Sequence, residues 1–279
     1  MKIDLHTHTT YSDGRNTPKE LIDLAKKNHY DIFAITDHDS ISGYLKVNDY
    51  AENIGITLIP GAEISTLYNN NDIHILAYFF DIKNQEFLDM LSFIQDSRKN
   101  RAKKIIDKLN ELGKNITFEE VVELSGKTDL IGRPHIARAL VNKGYCNNIQ
   151  EAFYKYIGND CPAYYPKLSL NPIEVIDIIK KAGGISVVAH PFQLEDEFVL
   201  LELIEMGVQG IEVFYRLHTN EQIKFYGDIA DKYNLVKTGG SDYHGDPKGR
   251  IVFGDYSAPD SVYENLLKEK EKIDGTNKS

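Results

Sequence analysis

Histidines and carboxylates recur at the ends of the predicted strands of this chain. His6 and His8 flank one residue at the end of the first apolar run. Because side chains alternate along a strand, both point to the same side. The carboxyl ends of strands are where barrel enzymes place their chemistry. The same residue types follow later apolar runs, at Asp13, Asp37-His38-Asp39, Glu63, His190, Asp242 and His244.

His74 differs from these residues because it begins its apolar run instead of ending it. The polar segment from Asn69 to Asp72 predicts a turn directly after the run that contains Glu63. An antiparallel return strand would place His74 beside Glu63 at the same end of the sheet. We therefore count His74 with the other candidate residues.

This mixture of side chains is suited to metal binding. Imidazole and carboxylate ligands bind zinc, manganese or iron, and one carboxylate can bridge two ions. Two neighbouring ions generate hydroxide and clamp the oxygens of a displacement at phosphorus. A lone histidine at a strand end is more often structural, and Asp37-His38-Asp39 alone would fit a capped loop. The joint occurrence at successive strand ends predicts a metal site.

Composition narrows the classes of partner. The chain has 279 residues and a formal net charge of −10, which disfavours binding to duplex nucleic acid but is compatible with small anions at a metal site. Its two cysteines, Cys146 and Cys161, form no CxxC pair, so a thiolate zinc site is excluded. The chain shows neither a basic leader nor a long apolar segment, and we expect a cytoplasmic protein.

Short apolar runs alternate with helical patterns, which predicts βα units and a largely parallel sheet or barrel. Thr17-Pro18 and Asn171-Pro172 both place a capping residue before a proline at a helix start. The predicted strands are Ile3–Leu5, Ile32–Thr36, Thr57–Ile59 with Ala62–Ile64, Ile73–Phe80, Ile185–Ala189, Ile211–Phe214 and Leu235–Thr238.

The middle of the chain is helical in pattern from about Phe87 to Lys167. We interpret residues 98–167 as a helical insertion, a lid, and residues 1–97 and 168–279 as the barrel domain. The predicted helices of this region are Asp96–Leu112, Phe118–Leu124, Pro134–Lys143 and Ile149–Tyr156. The last dozen residues, Lys268 to Ser279, are polar, and we expect them to be frayed.

Taken in order, these motifs resemble the PHP (polymerase and histidinol phosphatase) family of metal-dependent phosphoesterases. The resemblance runs from residue 1 to about residue 255. It is carried by His6-Thr7-His8, Tyr11-Ser12-Asp13-Gly14, Ile35-Thr36-Asp37-His38-Asp39, Gly61-Ala62-Glu63-Ile64-Ser65, His74-Ile75-Leu76-Ala77-Tyr78, Ala189-His190-Pro191 and Gly240-Ser241-Asp242-Tyr243-His244.

The resemblance implies an α/β fold, a distorted (β/α)7 barrel, with two or three divalent ions (manganese, zinc or iron). It also implies how the candidate ligands are shared. One ion would be held by His6, His8, Glu63 and Asp242, a second by Glu63, His74 and His190 with Glu63 bridging, and a third by Asp13, His38 and His244.

The insertion makes the chain similar to stand-alone PHP proteins that remove phosphate from nucleoside 3',5'-bisphosphates and trim short 5'-phosphorylated oligonucleotides. The expected substrate is thus a small phosphorylated nucleotide or short single-stranded RNA, hydrolysed by a metal-activated hydroxide, with no duplex or membrane partner. Two alternatives stay open: a phosphatase of another small ester such as histidinol phosphate, and a non-catalytic metal-binding regulatory module.

Five further residues are candidates for substrate contact. Arg133 offers a planar fork for phosphate just before a helix that begins at Pro134, and His135 follows it. His218 comes after the sixth strand, where it could protonate the leaving oxygen or bind phosphate. We predict Arg133 and His218 as catalytic residues. Lys167 and Arg216 are weaker candidates for a second phosphate.

Overall fold

Seven strands form one sheet that nearly closes into a barrel. The structure is a computed structural model that describes residues 1–69, 71–125, 131–194, 196–245 and 253–276. The strands lie side by side in chain order. They are β1 (Ile3–Asp4), β2 (Ile32–Ile35), β3 (Thr57–Tyr68), β4 (Asn71–Tyr78), β5 (Ile185–Val188), β6 (Gly210–Tyr215) and β7 (Val236–Gly240).

Most neighbouring strands are parallel, but β4 is antiparallel to both β3 and β5. This reversed strand distorts the barrel, and the predicted fold class is confirmed. Ser65 pairs with His74 across the β3–β4 hairpin, so the predicted return strand is also confirmed. The first and last strands meet through two backbone hydrogen bonds. The N–H of Leu5 donates to the Gly239 carbonyl at 3.3 Å, and the N–H of Asp242 donates to the His6 carbonyl at 2.8 Å.

Helices follow most of the strands, and their starts are set by local sequence. Thr17 and Asn171 are the N-caps, as predicted, and each forms a capping box with a proline at the first helical position. The helices are α1 (Pro18–Lys27), α2 (Ser42–Asn53), α3 (Gln85–Glu111), α4 (Phe118–Ser125), α5 (Arg133–Asn142), α6 (Ile149–Ala152), α7 (Pro172–Lys181), α8 (Glu197–Glu205), α9 (Asn220–Lys232) and α10 (Asp260–Thr276). A π-helical turn spans Phe153–Ile157, and a 3₁₀ turn spans Pro191–Gln193.

The prediction of a frayed C-terminal end is wrong for the described residues, because α10 continues to Thr276. Val262 and Leu266 lie four positions apart on one helical face and are buried against the sheet core. Residues 277–279 lie outside the described part of the chain. Two more elements differ from expectation: α2 was not predicted, and α3 begins at Gln85 rather than at Asp96.

The chain packs as two units, one of residues Met1–Leu91 with Leu170–Ser279 and the other of Ser92–Ser169. The first contains the barrel, whose strands β2 and β5 are buried along their whole length. The second has its own core, which includes Ile105, Leu109 and Leu140. Domain boundaries at 97/98 and 167/168 stay a prediction.

The two cysteines are free thiols, Cys146 buried and Cys161 half-buried. None of the helices in the described ranges has both the length and the apolar character needed to cross a bilayer.

Candidate metal centre

The carboxyl ends of the strands, together with the reversed start of β4, bring nine predicted side chains to one place. His6 and His8 directly follow β1, and Asp13 lies in the turn after them. Glu63 and His74 face each other from the β3–β4 hairpin. The remaining members follow other strands: His38 after β2, His190 after β5, and Asp242 and His244 after β7.

Glu63 lies at the middle of the cluster and is fully buried. Its Oε2 is 3.2 Å from Nε2 of His6, 3.2 Å from Nε2 of His8 and 3.2 Å from Nδ1 of His38. Its Oε1 is 2.9 Å from both Nδ1 of His74 and Nε2 of His190. One carboxylate therefore contacts five imidazole rings, which is the arrangement expected of a bridging ligand.

Two further carboxylates surround this centre. Asp242 Oδ1 lies 3.1 Å from Nε2 of His8, 3.4 Å from Nε2 of His6 and 3.5 Å from Nδ1 of His244. Asp13 Oδ1 lies 3.2 Å from Nε2 of His244. The Asp13 side chain is 52% exposed, whereas the His8 side chain is fully buried, so the cluster reaches from the barrel interior to the surface.

The nine side chains contain three overlapping groups whose ligand atoms lie within 4.8 Å of one another. His6, His8, Glu63 and Asp242 form the first group, as the family resemblance implies. The other two groups share residues with the implied second and third ion sites but are not identical to them. In the second group His38 joins Glu63 and His74, and in the third His8 joins Asp13, His38 and His244. The assignment of ligands to individual ions stays a prediction.

Two buried nitrogens indicate that the residues fit a cation. Nε2 of His8 and Nδ1 of His38 are buried and make no hydrogen bond within the described ranges, although both lie about a hydrogen-bond length from a carboxylate oxygen. A buried nitrogen without a partner costs free energy unless another ligand takes the lone pair. Lone pairs directed into a space shared with carboxylate oxygens are what a divalent ion requires.

Electrostatics at the centre also favour cations. Burial would raise the pKa of Glu63, but the surrounding imidazoles, His38 and His6 above all, hold it well below its usual range. Burial would lower the pKa of His8, yet its contacts with Asp242 and Glu63 outweigh that effect and raise the pKa to about 10, so an ion that binds at Nε2 displaces a proton. At His38 burial dominates and lowers the pKa to about 3. Glu63 thus stays charged and attracts positive charge.

Glu212, which was not predicted as a site residue, connects two of the nine. It is fully buried in β6; its Oε1 is 2.9 Å from Nδ1 of His6, and its Oε2 accepts a hydrogen bond of 2.7 Å from the backbone N–H of His190. A carboxylate that holds the second nitrogen of a histidine fixes that ring and leaves the first nitrogen for a metal. The signal in the sequence was a charged residue inside an apolar strand.

Asp37 and Asp39, on either side of His38, are buried and bind protein groups. Asp37 accepts hydrogen bonds from the Thr9 N–H at 2.7 Å, the Thr9 hydroxyl at 2.6 Å and the Ser12 hydroxyl at 2.7 Å. Asp39 accepts one from the Ser65 N–H at 2.7 Å. The Asp37 contacts hold the turn after β1 against the end of β2, and thereby place His8 and Asp13.

The structure places His218 and Arg216 beyond the end of β6. Nδ1 of His218 donates to the Val213 carbonyl at 2.9 Å, and burial lowers the pKa of this imidazole. The backbone N–H of Arg216 donates to the Gly240 carbonyl at 3.1 Å. Neither is among the nine clustered residues, and their roles stay predictions.

The other three candidates for substrate contact lie in the second unit. Arg133 begins α5, lies over the Phe153 ring at 5.5 Å and donates to Asn159 Oδ1 at 3.2 Å. Nδ1 of His135 accepts the Gly132 N–H at 3.1 Å. Lys167 follows the last helical turn of this unit. Their contact with substrate also stays a prediction.

A distorted seven-stranded barrel with a histidine–carboxylate cluster at one end defines a class of metal-dependent hydrolases, and comparison with known proteins identifies the family. The family model of the PHP domain matches residues 4–159. A 3',5'-nucleoside bisphosphate phosphatase of Chromobacterium violaceum is 30% identical over 252 residues, 88% of each chain. A 5'-3' exoribonuclease of Haemophilus influenzae is 32% identical over 258 residues, 91% of this chain and 93% of its own.

A solved structure agrees with this assignment. A candidate metal-dependent phosphoesterase from Bifidobacterium adolescentis superposes with a TM-score of 0.81 at 33% identity, covering 96% of both chains. The chain belongs to the PHP family. The predicted class of enzyme, a metal-dependent phosphoric ester hydrolase, is thereby confirmed.

Proposed function

We propose that this chain hydrolyses phosphate monoesters of nucleotides, nucleoside 3',5'-bisphosphates first and short 5'-phosphorylated oligonucleotides second. The observation that carries the proposal is the convergence of nine ligand-type side chains with Glu63 at their centre, including two buried nitrogens that have no hydrogen-bond partner among the described residues. Two relatives of nearly full length have names that describe action on a nucleotide bisphosphate and on RNA.

The nine residues would hold two or three divalent ions, and manganese, zinc and iron all suit such a donor set. Bound there, these ions would supply activated water and positive charge for the phosphoryl oxygens. The chain's own contribution is orientation. Glu212 holds His6, the Tyr215 hydroxyl donates to Oδ2 of Asp242 at 3.0 Å, and Asp242 keeps its Oδ1 toward the histidines.

Substrate contacts form the second part of the proposal. Arg133 is an always-charged fork at a helix start, which suits stabilisation of the charge on the phosphoryl oxygens. We keep His135, Lys167 and Arg216 as further phosphate contacts, and His218 as a substrate contact. Small phosphorylated nucleotides are the proposed partners, and a cytoplasmic location stays a prediction.

Metal analysis combined with a substrate panel tests the proposal. The panel compares a nucleoside 3',5'-bisphosphate, a nucleoside 5'-monophosphate, a short 5'-phosphorylated RNA and histidinol phosphate. We expect release of phosphate chiefly from the bisphosphate, and loss of both turnover and bound metal in His8→Ala. Preference for histidinol phosphate would support the first alternative function. Bound metal without turnover on any phosphate ester would support a regulatory module.

His29→Ala is the matched control, because His29 lies after α1 and outside the nine clustered residues. It should keep its metal content and its activity. Full activity in a metal-free His8→Ala protein would refute the proposed chemistry.

A further inference from the structure

A path of aromatic rings leads outward from the metal centre within the first unit. The ring of His190 meets the Tyr215 ring edge-on at 6.0 Å, and the Phe192 ring stacks on Tyr215 at 5.4 Å with an interplanar angle of 27°. The Tyr215 hydroxyl donates to Asp242. Phe192 is therefore one ring away from the clustered residues, and 36% of its surface is exposed.

The same ring meets a buried acceptor. His218 contacts Phe192 edge-on at 5.5 Å and is only 8% exposed. Its Nδ1 must carry a hydrogen, because it bonds to the Val213 carbonyl, which can only accept. In the neutral ring Nε2 is then an acceptor, and it is buried without a hydrogen-bond partner among the described residues. Such an atom calls for a ligand or water.

Apolar side chains extend this surface on the loop after β6 and on α9. Leu217 is 64% exposed and Phe225 is 38% exposed. Phe225 meets Tyr226 edge-on at 5.3 Å, and Tyr226 lies 4.9 Å from the His218 ring. Exposed apolar side chains that continue from a catalytic centre are characteristic of a surface that binds the non-reacting part of a substrate.

We propose that Phe192 is a stacking platform for the nucleobase of the substrate, with Nε2 of His218 accepting a hydrogen bond from an amino group of that base. The inference rests on the proposed function, because it takes the reacting phosphate to lie at the metal centre. A base offers a flat π face for Phe192 and amino hydrogens for an acceptor, whereas a sugar phosphate offers no aromatic ring to stack. One occupant thus satisfies both the exposed ring and the orphaned nitrogen.

The chain contains no tryptophan, so Phe192→Trp places a single fluorophore on the platform. Adenosine 5'-monophosphate should quench its fluorescence saturably, and ribose 5-phosphate should leave it unchanged. Phe198→Trp is the matched control, since Phe198 lies on α8 and is 71% exposed. It should respond to neither compound. Purine riboside 5'-monophosphate, which lacks the amino group, should bind more weakly than adenosine 5'-monophosphate if His218 accepts from that group.

Kinetics give the second measurement. Phe192→Leu keeps an apolar side chain but removes the π face, and it should raise KM for adenosine 3',5'-bisphosphate by about 5- to 150-fold, the range expected for a lost stacking contact. Hydrolysis of ribose 5-phosphate should not change, and Phe192→Tyr should restore the KM.

The outcomes separate the subsite from the proposed function. Equal quenching by both phosphates, equal quenching in the Phe198→Trp protein, or an unchanged KM in Phe192→Leu would overturn the platform while nucleotide hydrolysis stands. Equal loss on both substrates would also overturn it, since that result means damage to the metal centre. Base-specific quenching in a protein that cleaves no phosphate ester would instead refute the proposed function.

Discussion

Glu212→Gln should weaken metal binding without unfolding the protein. Both groups that Glu212 contacts act as donors: His6 at Nδ1, when its Nε2 is the ligand, and the backbone N–H of His190. Glutamine has one acceptor oxygen and one amide nitrogen, so it can satisfy only one donor. If its nitrogen faces His6, the ring must carry its hydrogen on Nε2 and cannot use that atom as a ligand. If the nitrogen faces His190, the backbone N–H loses its partner.

The size of the effect follows from these two bonds. A hydrogen bond to a charged group contributes about 1.5–3 kcal/mol, which corresponds to roughly 10- to 150-fold in an equilibrium constant. Loss of a carboxylate that supports a ligating histidine typically costs about 10- to 100-fold in metal affinity. We therefore expect the variant to bind manganese or zinc about 10- to 100-fold more weakly.

Competition with a chromophoric chelator measures that affinity in metal-stripped protein, and elemental analysis gives the number of ions. Glu205→Gln is the matched control, because Glu205 is exposed at the end of α8. Circular dichroism of both metal-free proteins shows whether the fold is kept. An affinity in Glu212→Gln equal to that of Glu205→Gln would mean that Glu212 does not position His6.

Three other predictions concern the support of the centre. Gly43→Ala should lower the free energy of unfolding by about 1–3 kcal/mol in a urea titration, because the new Cβ would lie 2.1 Å from Oδ2 of Asp37. Gly275→Ala, whose Cβ meets nothing within 4 Å, should leave it unchanged or raise it. Tyr215→Phe removes the donor to Asp242 and should weaken metal binding by about 2- to 10-fold in the chelator assay. An unchanged affinity would mean that the Tyr215 hydroxyl does not position Asp242. Removal of the metal by a chelator should abolish hydrolysis and lower the melting temperature, because an ion present at a concentration of about 100 times its Kd adds about 2.7 kcal/mol to the free energy of unfolding. An unchanged melting temperature after complete metal loss would contradict a site that forms only in the folded state.

The clustering of nine candidate ligands could be predicted because each lies near a strand end, where a barrel gathers side chains from distant parts of the chain. The side-chain contact of His74 with Glu63 followed from the polar turn between two apolar runs. Glu212 was missed for the opposite reason. It lies inside a strand, and the apolar character of its neighbours hides a carboxylate whose partners come from β1 and β5.

Local patterns were less informative where tertiary packing decides the structure. Pro60-Gly61 divides the third apolar run in the sequence, yet β3 continues through it. The strand changes partner there, pairing with β2 up to Pro60 and with β4 from Gly61 onward. Helix α2 has no side-chain cap at Ile41, so no start signal marks it. Such elements are stabilised by contacts that become visible only in the folded chain.

Backbone conformation at the centre was also beyond prediction. Asp39, His190 and Asp242 have φ values of 49°, 26° and 53°, a region that residues other than glycine rarely adopt. Each such residue costs about 1–3 kcal/mol unless its surroundings hold it. In this site each N–H is held by a residue from a different strand: Asp39 donates to the Glu63 carbonyl, His190 to the Glu212 carboxylate and Asp242 to the His6 carbonyl.

These three hydrogen bonds link the strained strand ends to residues that carry or orient the candidate ligands. A residue with positive φ relaxes toward negative φ once its tie is lost, because the strain has no local support. The N–H of His190 is held by the same carboxylate that orients His6. One substitution at Glu212 would therefore release the ring that follows β5 and reorient the ring that follows β1. The geometry around Glu63 is therefore a shared property of several strands, and metal affinity should respond to Glu212 more strongly than a single outer hydrogen bond would suggest.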